Sequence, residues 1–566
     1  MPILLPLLLC APLGALASPP ILEPESFRVA TSRAGAQIEG LRFTEGGGSP
    51  AINKPAILVV ANLDGRRPDA SEVARQLAKR LSAGGDEAAA LLAAATVFVI
   101  PEPNPDAAAL ASATPRFESV ATGTGRDSDR DGQVGEDPPA DVDGDGLVTW
   151  MRVPDPDGTW IASPFDARVN VEADAAHAER GLWKLVREGF DSDGDDKTAE
   201  DAAHDAEVNR NFPAGFEEHT GAGGLFGGDE PEARGLMEFV LAHPELALVI
   251  TIDDQDTLVS APETAKDPAG GGRFFFGPRE LPDGKVLQSD ADVLAELGRR
   301  FGEYAEDAPE ADSMGAGSFQ RWCYEQRGIL TLDSALWVMP TEAPEEVEEE
   351  SADEVTEEPP ADVEEQPVEE EEEGPDTWRD ASDDVGRLEW VDATGEAWRF
   401  VDWHAFEHPQ LGPVEIGGWA PYAQVQPPAD VVERVTDEQW QLLTSVADIL
   451  PRVEVASFTA EDLGKGLWRV EARIEDPALM PLVTRAAGRA RTATRARVEL
   501  QLPKRASLIV GQTPEFIRSL DGLGQSSEGA EFTWLVQAKK IDGLKLKVTT
   551  RTAGDASATV TKKEAR

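Results

Sequence analysis

The heptapeptide Glu207-Val208-Asn209-Arg210-Asn211-Phe212-Pro213 holds the residues of this chain best suited to grip a carboxylate. A guanidinium presents a rigid fork of donors that matches two carboxylate oxygens, and the neighbouring Asn209 amide adds a third donor. The apolar Phe212-Pro213 end reads as the buried anchor of a binding edge. The competing reading pairs Arg210 with a nearby acid, Asp205 or Glu207, as part of a plain surface turn. Three acidic loops suggest a second chemistry. Asp127, Asp129 and Asp131, then Asp141, Asp143 and Asp145, then Asp191, Asp193 and Asp195 place carboxylates at every second residue beside a glycine. All-oxygen ligation at that spacing suits calcium, and glycine allows the tight reversal. The twelfth positions, where an EF-hand needs a bidentate Glu, hold Pro138, Arg152 and Ala202, so these are not EF-hands. They are either calcium loops stapling a long excursion or solvated acidic turns.

Such groups need a scaffold, and the hydrophobic pattern supplies one. Ala56-Ile57-Leu58-Val59-Val60-Ala61 is a short continuous apolar run, the signature of a strand buried on both faces. A helix is expected over 71–81, where Val73, Leu77, Ala78 and Leu81 recur at helical spacing. An Ala-rich segment then runs into a second buried strand, Thr96-Val97-Phe98-Val99-Ile100. Strand, helix and strand imply a parallel crossover unit. Residues 246–252 give a third such strand, preceded by a helix over 231–242. The fold class is therefore α/β, a mostly parallel sheet flanked by helices, and active residues are expected in loops at the carboxyl ends of its strands.

Together with Pro101-Glu102-Pro103-Asn104-Pro105-Asp106 upstream and segment 317–337 downstream, the Asn209-Arg210 stretch resembles the zinc carboxypeptidase (metallocarboxypeptidase) family, in its bacterial secreted form with a C-terminal β-sandwich. The resemblance runs from about residue 55 to 337 and resumes near Trp390. It implies a zinc ion held by a His and a Glu after the first strand and by a second His after the third, with a catalytic Glu near the end. Zinc with an open position lowers the pKa of its bound water to about 7. The sequence departs at each place. After the first strand it reads Asn62-Leu63-Asp64-Gly65-Arg66-Arg67-Pro68, Asp253 stands where the resemblance implies His, and Ala335 where it implies the general base. Asp64 and Asp253 are all-oxygen donors that suit calcium or magnesium better than zinc. Asp333, two residues before Ala335, faces the same side of a strand. His404-Ala405-Phe406-Glu407-His408 has the order of inverted zinc peptidases, but Pro409 follows at once and the alternation around it is strand-like. Two histidines packing a turn is the reading for it.

The chain has 566 residues, 106 of them acidic and 52 basic, and a formal charge of −54, which argues against nucleic acid and anionic membranes as partners. The first nine residues are an apolar run too short to span a bilayer, and Ala15-Leu16-Ala17 resembles a signal-peptidase site. Residues 1–17 are thus expected to be a signal peptide, with a periplasmic or extracellular destination. No later stretch is long and apolar enough for a membrane span. Cleavage leaves Cys323 alone, so no intramolecular disulfide can form. The expected organisation is an α/β domain over 18–340, an acidic insertion over 341–379 that is expected to be disordered, completion of the α/β domain over 380–451, and a β-sandwich over 452–566. A capping box at Thr436-Asp437-Glu438-Gln439 is expected to open a helix. Alternation at Trp468, Val470, Ala472 and Ile474, and again around Val498, Trp534 and Leu546, gives the strands of the sandwich.

Three functions remain open. The first is an exported carboxypeptidase-like protein that has lost zinc-dependent hydrolysis and binds peptide C-termini through Asn209 and Arg210. The second is an active zinc metallocarboxypeptidase with unconventional ligands. The third is a calcium-stabilised cell-envelope scaffold.

Overall fold

The computed structural model describes residues 23–45, 54–120, 122, 137–194, 197–199, 206–218, 220, 222–266, 284–305, 307–312, 314–342, 382–517, 520 and 529–563. The expected signal peptide, the loop of Asp127, Asp129 and Asp131, Asp195, Asp205 and the acidic tract from 343 onward lie outside the described residues.

The main sheet has six strands: β1 (Glu25–Thr31), β2 (Gln37–Phe43), β3 (Ala56–Ala61), β4 (Thr96–Ile100), β5 (Leu246–Asp253) and β6 (Leu330–Ala335), in the order β1-β2-β4-β3-β5-β6. The four strands β4, β3, β5 and β6 run parallel, and the β1-β2 hairpin joins the β4 edge antiparallel. The α/β reading with a mostly parallel sheet holds, with that hairpin making the sheet mixed. All six residues of β3 are buried, and their alternation serves two cores. Ile57, Val59 and Ala61 face helices Pro68–Ala83, Asp86–Ala94, Gln288–Phe301 and Ala429–Ser445. Ala56, Leu58 and Val60 face helix Pro231–Ala242 and the aromatic group Phe212, Phe319 and Trp322. A continuous apolar run is what two-sided burial demands.

The helix expected over 71–81 spans Pro68–Ala83, opened by a proline whose missing N–H costs nothing in the first turn. The capping box is a correction. The helix runs Ala429–Ser445, and Thr436 sits inside it, donating its hydroxyl back to the Val432 carbonyl at 2.8 Å. Pro428 ends the preceding chain, so the helix begins where proline allows it to.

A second, antiparallel six-stranded sheet pairs strands Phe400–His408 and Gly412–Trp419 with Trp150–Pro154, Trp183–Arg187, Trp160–Ala162 and Asn170–Glu172. The last four lie in the stretch read from sequence as a loop excursion. Their alternation is disguised because arginines pack as if apolar: Arg152 lies 4.0 Å from the Trp403 ring and 4.9 Å from Trp183, and Arg187 lies 4.4 Å from Trp150. Such stacking is worth about 0.5–2 kcal/mol per pair. In the C-terminal region, a five-stranded and a four-stranded sheet enclose one core that includes Phe458, Ile474, Val498, Leu500, Trp534 and Leu546. Among the described residues no helix is long and apolar enough to cross a membrane.

Candidate functional site

The carboxyl ends of β3 and β5 lie side by side and each opens into a short polar turn. After β3, Asn62 takes a left-handed conformation (φ 55°), and its side chain ties the turn to the following helix. Its Oδ1 accepts the Arg67 N–H at 2.7 Å and its amide donates to Ser71 Oγ at 3.0 Å. Gly65, at φ 77°, is where the turn presses on the next loop, since a Cβ there would stand 2.6 Å from Ala107 Cβ and 2.8 Å from the Asn104 carbonyl. The turn so fixed points Asp64, Arg66 and Arg67 at the end of β5.

Main-chain groups then occupy the carboxylates. Asp64 Oδ1 accepts the Asn209 N–H at 2.9 Å, and Asp253 Oδ2 accepts the Leu63 N–H at 2.5 Å. Burial, with Glu207 and Asp254 nearby, pushes Asp64 up to about 7. Burial and the charges of Asp254 and Asp64 push Asp253 well above the ordinary carboxylate range, and its Oδ1 is buried with no hydrogen-bond partner among the described residues. Asp254 goes the other way. Burial would raise it, but Arg67 and Arg66 outweigh that and hold it below the usual range. Arg66 Nε donates to Asp254 Oδ2 at 2.9 Å, Arg67 Nε to Asp254 Oδ1, and Arg67 Nη1 to the Val425 carbonyl at 2.8 Å. The rim above is closed by Tyr422, whose N–H donates to Glu118 Oε2 at 2.7 Å and whose hydroxyl donates to the Phe117 carbonyl at 2.9 Å.

Zinc does not fit these residues. A zinc site with an open position takes three deprotonated donors converging on one point. Here Asp253 Oδ2 is taken by the Leu63 N–H, Asp64 Oδ1 by the Asn209 N–H, and Asp254 is engaged by two guanidinium groups. At the end of β6, Ala335 brings no carboxylate. Asp333 lies deeper on the same strand face, fully buried, with Oδ1 accepting from Thr251 Oγ1 at 2.7 Å and its acidity pushed up to about 7 by burial.

The Asn209-Arg210 pair divides. Asn209 is buried, and its Oδ1 accepts the Phe319 N–H at 2.9 Å, so that amide oxygen serves the fold. Arg210 stays 44% exposed and pairs with the half-exposed Glu217 at 3.1 Å rather than with Glu207. Glu207 lies within the field of both Arg210 and Arg66, which offset the rise that burial imposes on it. Two exposed-to-half-buried guanidinium groups, Arg66 and Arg210, thus flank one carboxyl, an arrangement able to receive an anionic group in exchange for an internal acid. Sequence reasoning missed Arg66, Arg67, Asp254 and Glu118. The signal was present: an Arg-Arg pair after one strand and an Asp-Asp pair after its neighbour are complementary.

The acidic loops form two clusters whose ligand oxygens lie within 4.8 Å of one another: Asp141, Asp143 and Asp145, and Asp137, Asp191 and Asp193. Asp137, 54 residues from Asp191, is an addition that only folding reveals. Asp141 accepts N–H groups of Gly144, Asp145 and Gly146, and buried Glu188 accepts those of Val142 and Asp143, which fixes the turn. His404 and His408 are strand residues with separate partners, Asp143 at 2.9 Å and the Gly189 carbonyl at 3.0 Å, so the His-x-x-Glu-His order forms no centre.

A zinc carboxypeptidase family model matches residues 22–144, and a model of a domain of unknown function, DUF8731, matches residues 452–561. Among solved structures, carboxypeptidase A from Helicoverpa armigera is 12% identical with a TM-score of 0.32, the match covering 56% of this chain and 60% of that one. A metallo-carboxypeptidase from Burkholderia cenocepacia is 13% identical with a TM-score of 0.28, covering 56% of each chain. The match thus spans less than two thirds of those proteins. A search of curated proteins returns no match. The chain resembles the zinc carboxypeptidases, the family for which zinc is the expected metal.

Proposed function

We propose that this chain is an exported carboxypeptidase-like protein whose strand-end cleft receives the carboxylate of a peptide C-terminus and does not hydrolyse it by the zinc route. The observation that carries this reading is the pairing of Arg66 and Arg67 with Asp254 at the strand ends, beside carboxyls already taken by main-chain N–H groups, while Arg210 stays accessible. Without a metal nothing there lowers the pKa of an attacking water. The purified protein is expected to retain no stoichiometric zinc and to release no C-terminal amino acids with zinc supplied. A chelator-sensitive carboxypeptidase activity abolished by Asp253→Ala overturns the reading in favour of the active enzyme. Peptides with a free C-terminus are expected to bind about tenfold to a hundredfold more tightly than their amides, the range of a charge-assisted contact worth about 1.5–3 kcal/mol. Arg210→Lys removes most of that difference because a point charge cannot reproduce the fork. Equal binding of both peptides ends the carboxylate reading.

The assembly of Asp137 with Asp191 and Asp193 from separate stretches supports a second, compatible role for the acidic loops as calcium seats that stabilise the protein.

A further inference from the structure

The domain of unknown function at the C-terminus is not loosely appended. Met480 and Ala486 are buried in the core of the α/β region, and the Met480 N–H donates to the Ile449 carbonyl at 3.0 Å. Asp290, buried at the start of helix Gln288–Phe301, accepts the N–H groups of Arg485 and Ala486 at 2.8 and 3.0 Å and the Tyr324 hydroxyl at 2.9 Å. Thr484 and Thr492 donate their hydroxyls to the carbonyls of Gly328 and Arg327, each at 2.6 Å. Gly328 has φ 71°, and a Cβ there would stand 2.1 Å from Ala487 Cα, so this contact is backbone against backbone.

The two threonine hydroxyls and the close backbone contact fall at the end of one helical segment, Phe319–Trp322 continued by the π-helical turn Cys323–Arg327, and Asp290 holds the same turn through the Tyr324 hydroxyl. The other end of that segment holds the cleft. Phe319 donates its N–H to Asn209 Oδ1, Gly317 accepts the Phe212 N–H at 2.8 Å, and a Cβ on Gly317 would stand 2.3 Å from the Arg210 carbonyl oxygen. In its middle, Gln320 donates to Thr251 Oγ1 at 3.3 Å, reaching the strand that ends in Asp253. Ten residues therefore connect the junction to the arginine loop. A π-helical turn is a rare, less regular arrangement that persists where tertiary contacts hold it.

We propose that the C-terminal β region is a positioning element of the strand-end cleft, docked through Asp290, Arg327 and Gly328 so that segment 319–327 holds the Asn209-Arg210 loop in place. The test is amide hydrogen exchange on the full-length chain. Thr492→Val and Thr484→Val each remove one hydroxyl contact across the junction with little change in shape, whereas Gly328→Val is avoided as a variant that will not fold. The control, Val548→Ala, loosens the C-terminal core away from the junction. Both junction variants are expected to speed exchange over 208–212 and 319–327 about tenfold, as loss of one crossing hydrogen bond would, with β4 unchanged. The control is expected to leave 208–212 as it was. Unchanged exchange over 208–212 in the junction variants, or an equal increase in the control, overturns the proposal.

Discussion

Among the described residues carboxylates crowd at the strand ends and in the acidic loops, and the two regions dispose of the charge in opposite ways. At the strand ends, Asp254 is matched by the protein's own cations, Arg66 and Arg67, while burial pushes Asp253 well above the ordinary carboxylate range. In the loops, turn N–H groups and His404 face the acids, and the carboxylate oxygens of each of two three-residue clusters lie within 4.8 Å of one another. Strand ends that carry their own guanidinium groups have their acid charge already matched, whereas the acidic turns are the place where the proposed calcium would act. The place the resemblance assigns to metal is therefore the less suited of the two.

The largest effect expected from that contrast is at Arg67. Its side chain is nearly buried, and Arg67→Ala leaves Asp254 short of a partner and the Val425 carbonyl without its donor. Breaking a buried pair from one side costs about 3 kcal/mol or more, read as a lower denaturant midpoint. Arg67→Ala combined with Asp254→Ala is expected to recover part of the loss, since the uncompensated charge goes too. Full stability in Arg67→Ala would break the comparison on the cleft side. On the loop side, calcium at a hundredfold excess over its dissociation constant adds about 2.7 kcal/mol, so chelation is expected to lower the melting temperature by several degrees. Asp193→Asn is expected to shrink that shift, and melting indifferent to chelator returns the loops to solvated turns.

The effect most diagnostic of the buried carboxyls is in pH. Asp333, Glu232 and Asp64 are each raised to about 7, by burial first of all. Unfolded, such groups titrate near 4. Between about pH 4 and 7 the folded protein therefore holds protons that the unfolded chain has released, and stability falls as pH rises through that window. The melting temperature is expected to be higher at pH 5 than at pH 8, and Asp333→Asn, which is neutral throughout, is expected to flatten the slope. No dependence on pH over that window would mean that these carboxyls are ionised in the folded state.

Much of the scaffold was legible because its signals are local. The apolar runs of β3, β4 and β5 and the period of helix Pro231–Ala242 are properties of five to twelve consecutive residues. The strand-like alternation around His404 was legible, but the four strands of the second sheet between 150 and 187 were not, because they bury tryptophans against arginine stems and break the alternation that marks a half-buried strand. The helix at Ala429–Ser445 began earlier than its capping signal because Thr436 found a partner one turn back instead of at a helix start.

The amino-acid order alone showed no histidine at the strand ends and an arginine beside Asn209, with Asp253 and Ala335 where the resemblance implies a ligand and a base. It also established where acids cluster along the chain. Which charges meet was decided by tertiary structure. Arg66 and Arg67 find Asp254 across 187 residues or more, Asp137 finds Asp191, and Arg210 turns to Glu217 rather than Glu207. The physical reason is that hydrophobic period fixes an element from its neighbours, whereas the state of a carboxylate depends on burial and on the nearest opposite charge, and only the closed fold supplies both.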